Sequence, residues 1–147
     1  WQIEITTTDI DNKELEIAKK GIYTQFEAQR GLPIQMLMKY FEQVPQGWRV
    51  KPELQKRIRW SQHNLMNVFQ RFGPFDIIFC RNVLIYFDKE TKKNIFDRLS
   101  RVMRPDGYLI LEGAETTFGM TELLDRNKRF QSGVYSLCGE NLADETR

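Results

Sequence analysis

Phe75-Asp76-Ile77-Ile78-Phe79-Cys80, followed by Arg81-Asn82 and then Val83-Leu84-Ile85-Tyr86-Phe87, is the stretch whose reading decides the fold. A run of six residues with a single charge reads as a strand buried on both faces, the mark of a parallel sheet. Gly73-Pro74 ahead of it is a turn. Beyond it, Asp88 stands where an N-cap belongs and opens a helix to about Met103. Ile95, Phe96, Leu99, Val102 and Met103 form its expected buried stripe. Pro105-Asp106-Gly107 then reads as a tight turn into a strand over residues 108–112, and residues 133–138 as a last strand.

Upstream the pattern is shorter-ranged. Residues 3–8, Ile-Glu-Ile-Thr-Thr-Thr, are rich in β-branched side chains and read as a strand. It stops at Asp9-Ile10-Asp11, and a helix follows over about residues 12–20. Asp11 with Glu14 fits a capping box, and Gly21 fits the stop. Leu32-Pro33 opens a second helix whose Ile34, Leu37, Met38 and Phe41 predict a buried face, with Pro45-Gln46-Gly47 as its end. Strand-like pieces follow at residues 48–50 and 57–60. Strands alternating with helices predict an α/β fold with a mostly parallel sheet.

A chain of 147 residues suits one domain with a sizeable core. Its 41% apolar and 29% charged residues, with ten Phe, five Tyr and three Trp, exclude a disordered chain. The longest apolar run, residues 83–87, falls far short of the ~20 residues that cross a bilayer. No basic start leads into an apolar segment, so no signal peptide is expected. Cys80 and Cys138 form neither a disulfide framework nor a metal cluster, which points to a reduced, cytoplasmic protein. The net charge of +2 hides an asymmetry: residues 19–71 hold ten Lys/Arg against three Asp/Glu. That segment reads equally as a site for an anionic partner or as a solvated face. Nucleic acid ranks last, because Tyr23, Phe26, Tyr40, Phe41, Trp48 and Trp60 read as core rather than a stacking platform.

Several residues could carry chemistry. Asp9 lies at the carboxyl end of a presumed parallel strand, where an acid commonly holds a ribose diol, though it is equally a turn residue. Arg81 and Asn82 project from the same kind of edge, with Tyr86 four residues on. They make a small-molecule pocket, unless 83–87 is only core packing and Arg81 a surface cation. Asn64 could bond a purine edge with Leu65 on its face, or could simply cap a helix. His63 is the only histidine, so neither a metal site nor a Ser-His-Asp arrangement is expected.

Taken together, Thr8-Asp9-Ile10-Asp11, Gly21-Ile22-Tyr23, Lys39-Tyr40-Phe41, Asn64-Leu65, the block from Gly73 to Phe87, Arg104-Pro105-Asp106-Gly107-Tyr108-Leu109 and Val134-Tyr135 resemble one family. It is the chemotaxis receptor methyltransferases, which methylate receptor glutamates with S-adenosylmethionine. The resemblance runs from about Thr8 to Leu137. It implies a Rossmann-like class I methyltransferase sheet, S-adenosylmethionine as cofactor with S-adenosylhomocysteine as product, and chemoreceptor cytoplasmic domains as partners. It also implies that Asp9 holds the ribose hydroxyls, Asn64 and Leu65 meet the adenine, and Arg81 and Asn82 line the cofactor pocket. Tyr86 would sit near the transferred methyl, with Arg81 supporting the charge balance. Residues 21–50 correspond to an inserted subdomain that grips a receptor tail in some members.

Two departures stand beside the resemblance. The family often has a His before the Glu that follows the strand ending at Glu112, where this chain reads Gly113-Ala114-Glu115-Thr116. The Gly-rich cofactor loop and the N-terminal helical domain would lie upstream of Trp1, so the sheet is expected to be truncated on its N-terminal side. A non-catalytic interaction module is therefore the competing reading. The chemistry itself needs no general base, since a glutamate with an ordinary pKa of about 4.3 is ionised at pH 7. In the family's sheet the strands over residues 3–8 and 75–80 flank that absent strand. Unpaired buried backbone groups cost ~1–3 kcal/mol each. The gap is thus expected to close by direct pairing or, the favoured outcome, by exchange of elements with a second copy.

Overall fold

Two parallel strand pairs organise the chain, each reached by a long crossover because parallel neighbours cannot be joined by a hairpin. A computed structural model describes residues 1–69, 71–112, 116, 117, 119–130 and 133–139, and divides into two units, Trp1–Asn64 and Leu65–Arg147.

The first unit runs β1 (Ile5–Asp9), α1 (Asn12–Lys20), β2 (Ile22–Tyr23), α2 (Gln25–Gln29), α3 (Ile34–Tyr40), β3 (Phe41–Val44), β4 (Gly47–Val50), α4 (Pro52–Gln55) and β5 (Ile58–Gln62). β1 and β5 pair in parallel, with Ile5 opposite Ile58 and Asp9 opposite Gln62. α1 starts where the Asp11 carboxylate accepts the Lys13 N–H at 2.8 Å, and it stops at Gly21, held at φ 60° in the left-handed region that glycine tolerates. The expected reciprocal box with Glu14 does not form, because the Asp11 oxygen is turned to the nearer N–H. The crossover carries its own antiparallel sheet, β2-β4-β3, over a small cluster of Ala28, Leu37 and Trp48. Thr24 and Glu27 cap α2 reciprocally, a Thr-x-x-Glu signal present in the sequence but not read from it.

The apolar spacing of α3 overstated its buried face. Only Leu37 is buried; Ile34 and Met38 are each 61% exposed. The helix has seven residues before Phe41 turns extended, so a single position reaches the cluster beneath it. Pro45-Gln46 is accordingly the two-residue hairpin turn between β3 and β4, with Gly47 opening β4, rather than a helix stop.

The second unit comprises β6 (Phe75–Phe79), a 3-10 turn (Leu84–Tyr86), α5 (Lys89–Arg101), β7 (Met103–Ile110), β8 (Leu124–Arg126) and β9 (Val134–Leu137), with strand order β6-β7-β9-β8. β6 and β7 are parallel, and β9 pairs antiparallel with both β7 and β8. The sheets are thus mixed rather than mostly parallel. α5 lays Ile95, Phe96 and Leu99 onto a core with Leu84, Leu109 and Leu124. Burying each such side chain stabilises by roughly 1.5–3 kcal/mol. The helix ends at Arg101, so Met103 is buried from β7 instead.

Pro105-Asp106-Gly107 does not precede a strand but bulges within one. Phe75 faces Met103 while Ile77 already faces Tyr108, so β7 runs ahead of its partner across this segment. A Cβ at Gly107 would lie 2.9 Å from the Phe75 carbonyl oxygen, which is why only glycine lets the strands close again.

β6 is not buried on both faces. Ile78 packs on the core, but Ile77 is 51% and Phe79 71% exposed. Among the described residues β1 pairs only with β5 and β6 only with β7, so each keeps one free edge.

Asp88 caps α5 as expected, accepting the Thr91 N–H at 2.8 Å and the Thr91 hydroxyl at 3.2 Å. The Thr91 N–H, then its hydroxyl, holds the Asp88 carboxyl below the usual range. A depressed folded pKa means the cap contributes fully above the unfolded Asp value of about 3.9 and is lost as pH falls through the folded one. Asp88→Ala should therefore lower the thermal midpoint at pH 7, and the gap to the unsubstituted protein should close on acidification below about pH 3.9. A gap independent of pH would contradict the assignment.

Candidate functional site

Crossover connections place polar side chains at the carboxyl ends of parallel strands, and both pairs show this. In the first unit, β1 ends at Asp9 and β5 at Gln62. The His63 N–H donates to the Asp9 carbonyl at 2.9 Å, extending the ladder by one rung. One Asp9 carboxylate oxygen accepts the Asp11 N–H at 2.8 Å, while the other meets no donor among the described residues. Gln62 ties the edge together: its amide donates to the Ile10 carbonyl at 2.9 Å and its oxygen accepts from Asn12 at 3.0 Å. Gln62 escaped the sequence reading, although its place at a strand end was the available signal. His63 is half-buried, and that burial pushes its imidazole below the ordinary pKa. It is therefore neutral near pH 7.

In the second unit the chain leaves β6 through buried Cys80, whose N–H still donates to the Ile110 carbonyl at 2.9 Å. Arg81 then emerges, and Asn82 at φ 59° turns the chain away. Asparagine is among the few side-chain-bearing residues that take up this left-handed geometry readily. Leu84, 1% exposed, anchors the following 3-10 turn in the core, which leaves Tyr86 80% exposed at its end. The Arg81 guanidinium donates through Nε at 2.8 Å, and through Nη2, to one carboxylate oxygen of Glu112 just past β7. The parallel register brings this pair together: Phe79 faces Ile110, so residues two beyond each meet at the same edge. The sequence reading saw Glu112 only as a strand end and missed its pairing. Leu65 packs against the core of the same unit.

The structure thus brings Arg81 onto Glu112, sets Asn82 and Tyr86 on the segment leaving β6, and puts Asp9 on the edge of β1 and β5. Asn64 closes the first unit and Leu65 opens the second. Gly113-Ala114-Glu115, where the departure from the family's His falls, lies outside the described residues. Among the described residues no three His, Cys, Asp or Glu side chains gather as metal ligands. No helix among them is long and apolar enough to cross a membrane.

A family model described as the SAM binding domain of CheR methyltransferase matches residues 1–131. The chain belongs to the CheR methyltransferase family. Its resemblance to that family and its α/β fold class, as read from the sequence, both hold, and S-adenosylmethionine is the cofactor of this domain. Among curated proteins it is 38% identical over 120 residues to the chemotaxis protein methyltransferase Cher2 of Pseudomonas putida, covering 81% of this chain and 44% of the relative. It is 34% identical over 136 residues to the chemotaxis protein methyltransferase of Vibrio parahaemolyticus, covering 92% and 50%. It is 39% identical over 114 residues to chemotaxis protein methyltransferase 1 of Pseudomonas aeruginosa, covering 77% and 42%. The chain spans about half the length of the curated relatives it matches.

The donor set fits a nucleoside-bearing cofactor, since among the described residues Asp9 keeps an open carboxylate oxygen at a parallel strand end. The Arg81–Glu112 pair, with side chains 53% and 37% exposed, should behave as a surface ion pair. A double-mutant cycle with Arg81→Ala and Glu112→Ala, read by urea denaturation, should give a coupling of about 0.2–1 kcal/mol. A coupling of zero would show that the two strand ends are not tied by this contact.

Proposed function

We propose that the protein transfers methyl groups from S-adenosylmethionine to glutamate side-chain carboxylates of chemoreceptor cytoplasmic domains, working in the cytoplasm. The observation that carries this reading is the match to the CheR SAM-binding domain across residues 1–131. When bound, S-adenosylmethionine supplies a methyl on a sulfonium, which an ionised carboxylate oxygen can take in one in-line displacement, the electron pair of the broken bond leaving on sulfur. No proton moves, so no base is needed, and the lone, neutral His63 is compatible with that.

Each side chain then has a defined task. Asp9 accepts the ribose hydroxyls with its open carboxylate oxygen. Asn64 and Leu65 meet the adenine, the first by hydrogen bonds and the second by apolar contact. Asn82 lines the pocket. Tyr86 donates its phenolic O–H to the incoming carboxylate, orienting one lone pair at the ~3–3.5 Å that displacement requires. Arg81 supports the charge balance, with Glu112 limiting how far its guanidinium can swing. Residues 21–50 act as the inserted subdomain and bind a receptor tail. In the 147-residue chain taken by itself, the free edges of β1 and β6 are satisfied by exchange of elements with a second copy.

Full-length protein should label receptor glutamates as base-labile esters. Tyr86→Phe should cut the rate roughly tenfold to a hundredfold. Asn82→Gly, which keeps the backbone geometry and removes only the amide, should cost about tenfold. Unchanged rates in both variants would defeat these site assignments, and cofactor binding without any labelling would favour a non-catalytic interaction module. Light scattering on the 147-residue chain should report a dimer; a monodisperse monomer would defeat element exchange.

A further inference from the structure

We propose that Arg98 is a positioning residue for the adenine side of the cofactor site, acting through the backbone of Leu65 and Met66. The inference rests on the reading above that Leu65 meets the adenine.

Leu65 and Met66 lie in a segment without helix or strand, so no ladder supplies donors to their carbonyls. Arg98 supplies them from α5. Its Nη1 donates to the Leu65 carbonyl at 3.2 Å and also to the Met66 carbonyl. That nitrogen carries two N–H groups, and the two carbonyls take both. The bonds are charge-assisted, because a guanidinium is never deprotonated in a protein, and such bonds are the stronger kind.

The geometry gives those bonds a directional consequence. The Leu65 carbonyl fixes the peptide plane after Leu65, and the Met66 carbonyl fixes the next one. Two successive planes held from one nitrogen leave the backbone at Met66, the residue between them, little freedom to rotate, and the first of them carries the Leu65 Cα with it. The anchor itself is rigid, since α5 is seated by Ile95, Phe96 and Leu99, the residues on either side of Arg98. Along the loop the side chains of Met66 and Val68 are 48% and 62% exposed, and Phe69 is the next buried side chain. Arg98 thereby fixes where the Cα and carbonyl of Leu65 lie, and so the point from which its core-packed side chain projects, without touching the cofactor.

A role in stability alone would weaken every ligand equally, whereas positioning of Leu65 affects only ligands that carry adenine. Isothermal titration on the full chain with S-adenosylhomocysteine and with S-ribosyl-L-homocysteine, which lacks the base, separates the two. In the unsubstituted protein S-adenosylhomocysteine should bind more tightly, and the ratio of the two affinities measures the adenine contribution. Arg98→Met, which keeps an apolar stem and removes the donors, should shrink that ratio about tenfold while leaving S-ribosyl-L-homocysteine unchanged. Arg98→Lys, which keeps the charge but loses the planar fork, should fall between. An unaltered ratio in Arg98→Met, or in Arg98→Lys should the first variant not fold, overturns the inference and leaves the functional reading standing. Failure of the unsubstituted protein to bind S-adenosylhomocysteine overturns both.

Discussion

Parallel pairing is the constraint on which the rest of this structure depends. A parallel partner cannot be reached by a two-residue turn, so the chain must travel the length of the strand and return. Between β1 and β5 the return is made by helices and by the three-stranded sheet β2-β4-β3. Between β6 and β7 it is made by a 3-10 turn and α5. In both cases the chain leaves the first strand at its carboxyl end. Asp9, Gln62, Arg81, Asn82 and Glu112 all lie at such ends, which is where open α/β sheets take their ligands.

Those side chains owe their geometry to packing as much as to topology. Tyr86 is exposed because Leu84, two residues earlier, is buried, and a 3-10 turn of three residues cannot bury both. Asn82 turns the backbone at a positive φ immediately after the strand, so the segment leaves the sheet within two residues of Cys80. α5 then performs two jobs from one helix. One face fills the core with Ile95, Phe96 and Leu99, and its flank carries the guanidinium that holds the loop at Leu65 and Met66. Core packing and loop anchoring are therefore built from the same turns of helix.

The mixed character of the sheets has a physical origin in the strands themselves. β7 accepts β6 in parallel on one edge and β9 antiparallel on the other, which leaves β6 at the border of its sheet. There its second face shows Ile77 and Phe79. A border strand with large apolar side chains is a template for pairing, since its backbone donors and acceptors point outward beside an apolar surface.

Local chemistry was legible in the sequence by itself. β-branched residues marked β1, Asp11 and Gly21 bounded α1, Asp88 opened α5, and the apolar run from Phe75 located β6 and the polar residues that follow it. The α/β class and the family resemblance followed from the same segments. Each of these depends on residues within a turn or two of one another, where capping and backbone preference act. What depends on distant residues was decided only in three dimensions. The buried face of α3 shrank to Leu37, because periodicity gives the face of a helix but not the size of what lies under it. Pro105-Asp106-Gly107 became a bulge rather than a turn, because a parallel partner was already in place on both sides of it. Arg81 met Glu112, and Arg98 met Leu65 and Met66, across separations of about thirty residues along the chain. No spacing rule links such positions: only the register of β6 on β7 and the seating of α5 on the core bring their atoms within hydrogen-bonding distance.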